Sequence, residues 1–356
     1  MRVLFVLPYA LDRTPGQRYR AEQWIPHLRA RGVDCDVVAL LRPTEVDVLH
    51  SRASALRKVV VLFRSLLRAL RTVPLARRYD VVWLFRGMLL AGPALVERIL
   101  ARVGPPLAFD FDDAIWIART MKANRAWAPL KFAGRTATLC RKASVVITGN
   151  ENLAAWARTH NANVWVVPST VDTDRYPPRD HHAQNGPLVV GWSGSPTTVW
   201  HLELIKGALR RLAEKLPVEI RIMGAEWQAP ALPVVMREWS PEREVSELRS
   251  FDIGVMPLFD DPFVRGKGAM KALLYMGVGV PVVASPVGIT PSIIQDGCNG
   301  FLADSEDEWV EKLEKLARSV ELRRRLGNAG RATVEREYSA RVQVPRVAQA
   351  LESARQ

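Results

Sequence analysis

The sequence predicts a two-domain α/β protein whose parallel sheets are covered by helices. Three observations carry this. The chain has 356 residues, too many for one ordinary domain and suited to two, each with its own core. Short β-branched and aliphatic runs alternate with amphipathic stretches along its length, the pattern of parallel strands flanked by helices. The alternation is interrupted over residues 168–187, a stretch rich in Pro, Asp, Arg and His, and then restarts.

In the first half, strands are expected over residues 3–7, 35–39, 81–85, 107–110, 145–148 and 164–167, with helices between them. Residues 1–170 therefore read as one domain and 171–187 as a linker. A second domain over 188–337 has strands at 188–192, 218–223, 253–256 and 282–284, and helices near 199–214, 241–250, 269–278 and 307–318. From Leu322 onward the pattern is of consecutive helices broken at Gly327 and Gly330, with 338–356 as a C-terminal helix.

Composition narrows the class. A chain that is 48% hydrophobic and 24% charged, with no apolar run of bilayer length, fits a globular enzyme rather than a membrane-spanning protein. The opening MRVLFVLPYA has a single arginine before a very short apolar run. It reads as a first strand, not a signal peptide, so a cytoplasmic location is expected. Cys35, Cys140 and Cys298 are far apart and lack the spacing of a zinc site or a disulfide framework, which leaves them as packing residues.

Charge is uneven. Residues 1–170 hold 26 Lys+Arg against 12 Asp+Glu, and residues 171–356 hold 24 against 25. The whole excess of +13 thus belongs to the first half, which suits a phosphorylated substrate or an acidic membrane surface. Zinc-finger spacing, an RNP-like aromatic motif and a basic zipper are all missing, so nucleic acid is not an expected partner. Residues 54–78, SALRKVVVLFRSLLRALRTVPLARR, put Arg57, Arg64, Arg68 and Arg71 on one helical face opposite an aliphatic one. That is a helix for an anionic membrane interface or, alternatively, one that packs its apolar side on the core.

Candidate site residues lie where strands end. In open parallel sheets, ligands bind beyond the carboxyl ends of strands, where loops and helix N-termini offer backbone N–H groups to anions. Gly16 sits in the first such loop, where a missing side chain lets a ligand approach, and Arg18 and Arg20 follow at the start of the helix, suited to an anionic ligand. The fourth strand leaves as F-D-F-D-D-A. Its crowded Asp110, Asp112 and Asp113 repel one another unless function or a helix N-terminus compensates, so Asp112 and Asp113 are candidate catalytic residues, with helix capping as the alternative. A metal-binding reading of Asp110 and Asp112 is possible in a single-domain fold, but two complete α/β halves oppose it, and no metal ligand is assigned. Asn150 ends the fifth strand as a ligand contact or a cap. In the second domain Ser193, Gly194 and Ser195 follow a strand, and Ser285 and Gly288 end another; their small side chains admit a diphosphate. Arg265, Lys267 and Lys271 cluster before and within the helix near 269–278, with Lys267 and Lys271 four apart and hence on one helical face. Together they form a candidate phosphate site.

These segments resemble a known family. The runs GKGAMKALLYMGVGVPVVASPVG, IIQDGCNGFL and RRLGNAGRATVEREYS are similar to the C-terminal domain of glycosyltransferase family 4. TPGQRYRAEQW, FDFDDAIW and VPSTVDTDRY are similar to a bacterial branch of it with a GKxxxK variant of the donor motif. The resemblance covers nearly the whole chain in the expected order. It implies the GT-B architecture, two Rossmann-like domains with parallel sheets facing a central cleft. It also implies metal-independent transfer, with retention of anomeric configuration, from a nucleoside-diphosphate sugar to a glycan, lipid-linked or small-molecule acceptor, with Gly16 on the donor side and Arg18, Arg20 and Asn150 on the acceptor side. The nucleotide sugar is a co-substrate, and no further cofactor is implied. One departure stands out. The glutamates of the family's E-x7-E donor motif fall on Gly266 and Leu274, and Trp192 and Thr198 stand near where an arginine and a lysine are common. Either the donor is held differently or catalysis has been lost.

Overall fold

The computed structural model describes residues 1–51, 53–89, 92–117, 134–180 and 186–356. Residues 181–185 of the expected linker lie outside them. The chain divides into one unit of Met1–Thr170 with Gln343–Gln356 and a second of Val171–Val342.

Among the described residues, the first unit is built on six parallel strands, β1 (Arg2–Leu7), β2 (Asp34–Ala39), β3 (Val81–Phe85), β4 (Leu107–Phe111), β5 (Val145–Thr148) and β6 (Val164–Val166), in the order β2-β1-β3-β4-β5-β6. Every residue of β3 and β4 is buried, as the near-continuous apolar sequence of a strand covered on both faces requires. Phe5 of β1 is in register with Trp83 of β3, their rings 5.1 Å apart, and Trp24 meets Trp83 edge-on at 6.2 Å. The end of the chain closes this core. Val344, Val347, Ala350 and Leu351 recur at helical spacing and pack with Trp24 and Leu28.

The second unit has β7 (Leu188–Ser193), β8 (Val218–Met223), β9 (Val234–Arg237), β10 (Ile253–Met256), β11 (Val282–Ala284) and β12 (Phe301–Leu302), all parallel, in the order β12-β11-β10-β7-β8-β9. Numbered within the unit this is 6-5-4-1-2-3, the strand order of the dinucleotide-binding fold. Its core joins Trp192, Ile220, Ile222 and Val255 of the sheet to Leu209, Leu212, Trp309 and Leu313 of the covering helices.

Ten strands lie where the sequence places them, to within a residue. β9 and β12 escaped because β9 is a half-exposed edge strand and β12 has two residues. The expected helix over 199–214 is instead a 3-10 segment, Val199–Ile205, followed by an α-helix, Lys206–Lys215. Gly327 and Gly330 break nothing: the helix Val320–Thr333 runs through both. Gly330 is there for packing, since a Cβ on it would stand 3.1 Å from Met276 Cγ and 3.2 Å from the Asn299 carbonyl.

Candidate functional site

Topology marks a switch point in each unit. Where neighbouring strands send their connections in opposite directions, the loops at the carboxyl end part and leave room for a ligand. In the first sheet that point lies between β1 and β3, and in the second between β7 and β10.

At the first point, Gly16 follows β1, Arg86 follows β3, and Asp112 and Asp113 follow β4. Arg86 donates from Nε to Asp112 Oδ1 at 2.8 Å and from Nη2 to Asp112 Oδ1 and Asp113 Oδ2, both at 2.5 Å. Burial works against its charge, yet the two carboxylates more than offset that and hold it above the ordinary arginine range. Arg86 has φ +55°, a left-handed conformation that costs a non-glycine residue and persists where the surroundings enforce it. Gly16 lies directly on this bridge. A Cβ there would fall 2.5 Å from Asp112 Oδ2 and 3.1 Å from Arg86 Nη2. Tyr9 stands nearby, its hydroxyl pushed above the ordinary phenol range by burial while Arg86 pulls it down.

Arg20 is a correction to the sequence reading. It is fully buried and grips Asp110 through Nε (2.8 and 3.0 Å) and Nη2 (2.6 Å), with Nη1 donating to the Val167 carbonyl at 2.7 Å. A π-helical turn, Arg18–Glu22, carries it inward from the strand-end loop. Out of reach of an acceptor, it joins β4 to the chain after β6. Burial pushes Asp110 up to about 6 against the pull of Arg20. Asp110 and Asp112 are thus taken by different guanidinium groups. Arg18 is also buried, 5.1 Å over the Tyr19 ring and 4.0 Å from Asp12. Asn150 is a helix cap, its side chain accepting from Leu153 N–H at 3.0 Å.

At the second point, the structure brings Gly194 and Lys271 together. Lys271, from the helix Met270–Gly277, places Nζ 5.3 Å from the centre of the Trp192 ring, a cation–π contact at the end of β7. A Cβ on Gly194 would lie 2.8 Å from Lys271 Cε and 2.4 Å from the Trp192 ring, so glycine alone leaves room for that side chain. Ser193 N–H donates to the Tyr275 hydroxyl at 2.9 Å, and Ser195 Oγ lies 2.8 Å from Thr197 Oγ1. Ser285 Oγ accepts from Leu258 N–H at 3.0 Å, binding the loop after β11 to the loop after β10. Gly288, at φ +62°, packs on the Arg265 backbone, where a Cβ would be 2.9 Å from the carbonyl oxygen.

The expected trio of cations does not form as expected. Arg265 is exposed and makes a two-pronged ion pair with Asp260, both contacts 2.7 Å. Lys267 is extended (φ −74°, ψ 145°) and lies ahead of the helix, so it shares no helical face with Lys271. Its Nζ sits 5.3 Å from the Phe263 ring centre. Sequence reasoning also missed Arg86, although Phe85-Arg86-Gly87 stands at a strand end like the residues that were chosen. It missed the aromatic group at the β7/β10 switch point as well: Trp200 and Phe259 stack 5.0 Å apart and nearly parallel, and His201 Nδ1 accepts from Phe259 N–H at 3.1 Å.

Two Rossmann-like units in one chain, each with a topological switch point at its strand ends, define the GT-B class of fold. Comparison with known proteins agrees. Residues 187–319 match the family described as Glycosyl transferases group 1. Over 84 residues the chain is 37% identical to a D-inositol 3-phosphate glycosyltransferase of Paenarthrobacter aurescens (strain TC1), covering 23% of this chain and 19% of that one. The chain thus spans about a fifth of that relative, and 48% of a relative of the same name from Mycobacterium sp. (strain KMS). Among solved structures, a sucrose-phosphate synthase from Thermosynechococcus elongatus aligns with TM-score 0.71 at 15% identity, over 98% of this chain and 97% of that one. Anabaena Alr3699/HepE in complex with UDP and glucose aligns with TM-score 0.66 at 15% identity, over 99% and 100%. These likenesses establish the fold.

Proposed function

We propose that this chain transfers a sugar from a nucleoside-diphosphate sugar to a hydroxyl of a glycan, lipid-linked or small-molecule acceptor, with retention of configuration and without a metal. The observation that carries the reading is Lys271 beside Gly194 at the switch point of a sheet with dinucleotide-binding order. An ammonium and the backbone N–H groups of a strand-end loop are what a leaving diphosphate needs as charge develops on it. The family match over 187–319 and the UDP complex of the Anabaena neighbour support the same donor class. Lys271 comes to the end of β7, near where the family's usual cation is replaced by Trp192. In the first unit, Asp112 and Asp113, held by Arg86, face the acceptor hydroxyl in this reading.

Incubation with a panel of UDP-, GDP- and dTDP-sugars and a range of acceptors tests it, with products read by NMR for anomeric configuration. The reading expects a retained product and full activity in EDTA. Activity abolished by EDTA and restored by manganese removes the metal-independent mechanism. A second reading has its own observation: Gly266 and the buried Leu274 supply no carboxylate for the donor. Donor-induced thermal stabilisation with neither hydrolysis nor transfer favours that reading, a nucleotide-sugar-binding protein without turnover.

A further inference from the structure

The helix Ala55–Ala76 carries charge of a single sign: Arg57, Lys58, Arg64, Arg68 and Arg71, with no Asp or Glu. Its inward face is made of Val61, Ser65, Ala69, Thr72, Val73 and Ala76, all buried and mostly small. The more apolar face points the other way. Leu56 is 73% exposed and Phe63 58%, and Val59, Val60, Leu67 and Leu70 are exposed with them. The six fall at i, i+3, i+4, i+7, i+11 and i+14, a single stripe about 21 Å long. A helix that merely covers a core does the reverse, burying its large apolar residues and exposing polar ones.

The helix Leu95–Val103 repeats the inversion. Val96, Glu97 and Leu100 are buried, whereas Leu95, 55% exposed, and Ile99 and Val103 recur at i, i+4 and i+8 on the outside. The two helices pack against each other. Right-handed connections from β2 to β3 and from β3 to β4 put both on the same face of the first sheet. The stripes therefore lie side by side and look outward. Cations border them: Arg57, Arg64 and Arg71, spaced seven apart, run along one flank, and Arg98 and Arg102 stand on the second helix, all exposed. Glu97 is turned inward to Arg135, so neither helix exposes a carboxylate.

Scattered exposed apolar residues need no explanation, but a contiguous strip of nine does. We infer that this two-helix face docks the chain on an anionic lipid bilayer, its apolar side chains entering the interfacial layer and its arginines meeting headgroup phosphates. Charge selects the occupant. A second copy of the chain would set these arginines against their own kind, whereas anionic lipid neutralises each one. The inference stands on this face alone and does not depend on the reaction.

Co-sedimentation of the full chain with vesicles tests it, using phosphatidylcholine alone and phosphatidylcholine with phosphatidylglycerol. Binding to the anionic vesicles that weakens with salt is expected. Phe63→Ser with Leu67→Ser should lower it more than about tenfold. Arg57→Gln, Arg64→Gln and Arg71→Gln together should lower it about a hundredfold, at roughly fivefold per cation. Arg210→Gln, Arg325→Gln and Arg346→Gln, the same charge change at other exposed positions, should retain the parental affinity. These are surface changes, and thermal melts confirm that each variant is folded. Absence of binding, equal binding to neutral and anionic vesicles, or an equal loss in the distant triple variant overturns the inference. So does a concentration-dependent dimer, lost in the Phe63→Ser, Leu67→Ser variant and showing no vesicle binding.

Discussion

Lys271, Lys267 and Arg265 are three cations within seven residues, and their surroundings separate them. Arg265 is satisfied by Asp260, Lys267 lies on Phe263, and Lys271 reaches the end of β7 beside Gly194. Lys271→Met keeps the apolar stem on Trp192 and removes the charge. It should weaken UDP binding by about 1.5–3 kcal/mol, the range for a charge-assisted hydrogen bond, and leave uridine binding unchanged. Arg265→Ala should change neither. Titration calorimetry checks all four combinations, and unaltered UDP affinity in Lys271→Met would place the phosphates elsewhere. Gly16 makes a separate test. Its Cβ would overlap Asp112 Oδ2, so Gly16→Ala should cost about 1–3 kcal/mol of stability in a denaturant melt, as overpacking does. A variant as stable as the parent would show that the Arg86 bridge can step aside. At this scale the sequence was legible in positions and not in partners. Strand ends, glycines and clustered aspartates are visible in the order of residues. The pairing of Arg20 with Asp110, 90 residues away, has no local signal, and the same holds for Arg86 with Asp112 and Asp113.

Elements were legible where one face settles the matter. Parallel strands buried on both sides announce themselves as short apolar runs, so ten of the twelve among the described residues lie where the sequence puts them. The helix Ala55–Ala76 was recognisable as amphipathic, but which side packs inward depends on what lies beneath it. Arg68 decides its seating: the guanidinium donates to Glu45 Oε1 at 2.6 Å, to Oε2 at 2.8 Å, and to the Leu40 carbonyl. Burial raises the Glu45 carboxyl, but Arg68 and the Arg42 N–H outweigh it and leave it below the ordinary range. A depressed folded value means that the contribution is complete above the unfolded value near 4.5 and is lost as pH falls through the lower, folded value. Thermal melts of the parent should therefore decline on entering the acid range more steeply than those of Glu45→Gln. The two should differ most at neutral pH, by about 1.5–3 kcal/mol. A pH-independent difference would mean that the pair does not seat the helix.

For the whole molecule, the sequence shows two alternating α/β stretches but hides where the chain end belongs. Residues 343–356 read as a helix like any other, yet they are part of the first unit, 173 residues beyond its other boundary at Thr170. Val344, Val347, Ala350 and Leu351 are fully buried there against Trp24 and Leu28. Four such side chains, at roughly 1.5–3 kcal/mol for each large one and less for alanine, contribute an amount comparable to the ~5–15 kcal/mol that separates a folded domain from its unfolded chain. A chain ending at Val342 should therefore lose the cooperative unfolding of its first unit. The second unit keeps all six of its strands and the Lys271–Trp192–Gly194 arrangement, so it should still bind UDP. Ligand linkage supplies the readout: at a hundredfold excess over its dissociation constant, UDP adds about 2.7 kcal/mol to whichever unit holds it. Calorimetry of the full chain should show UDP raising the transition that survives truncation and leaving the other in place. If the shortened chain melts like the parent, the C-terminal helix is dispensable to the first core. If it folds but no longer responds to UDP, the donor does not reside in the second unit.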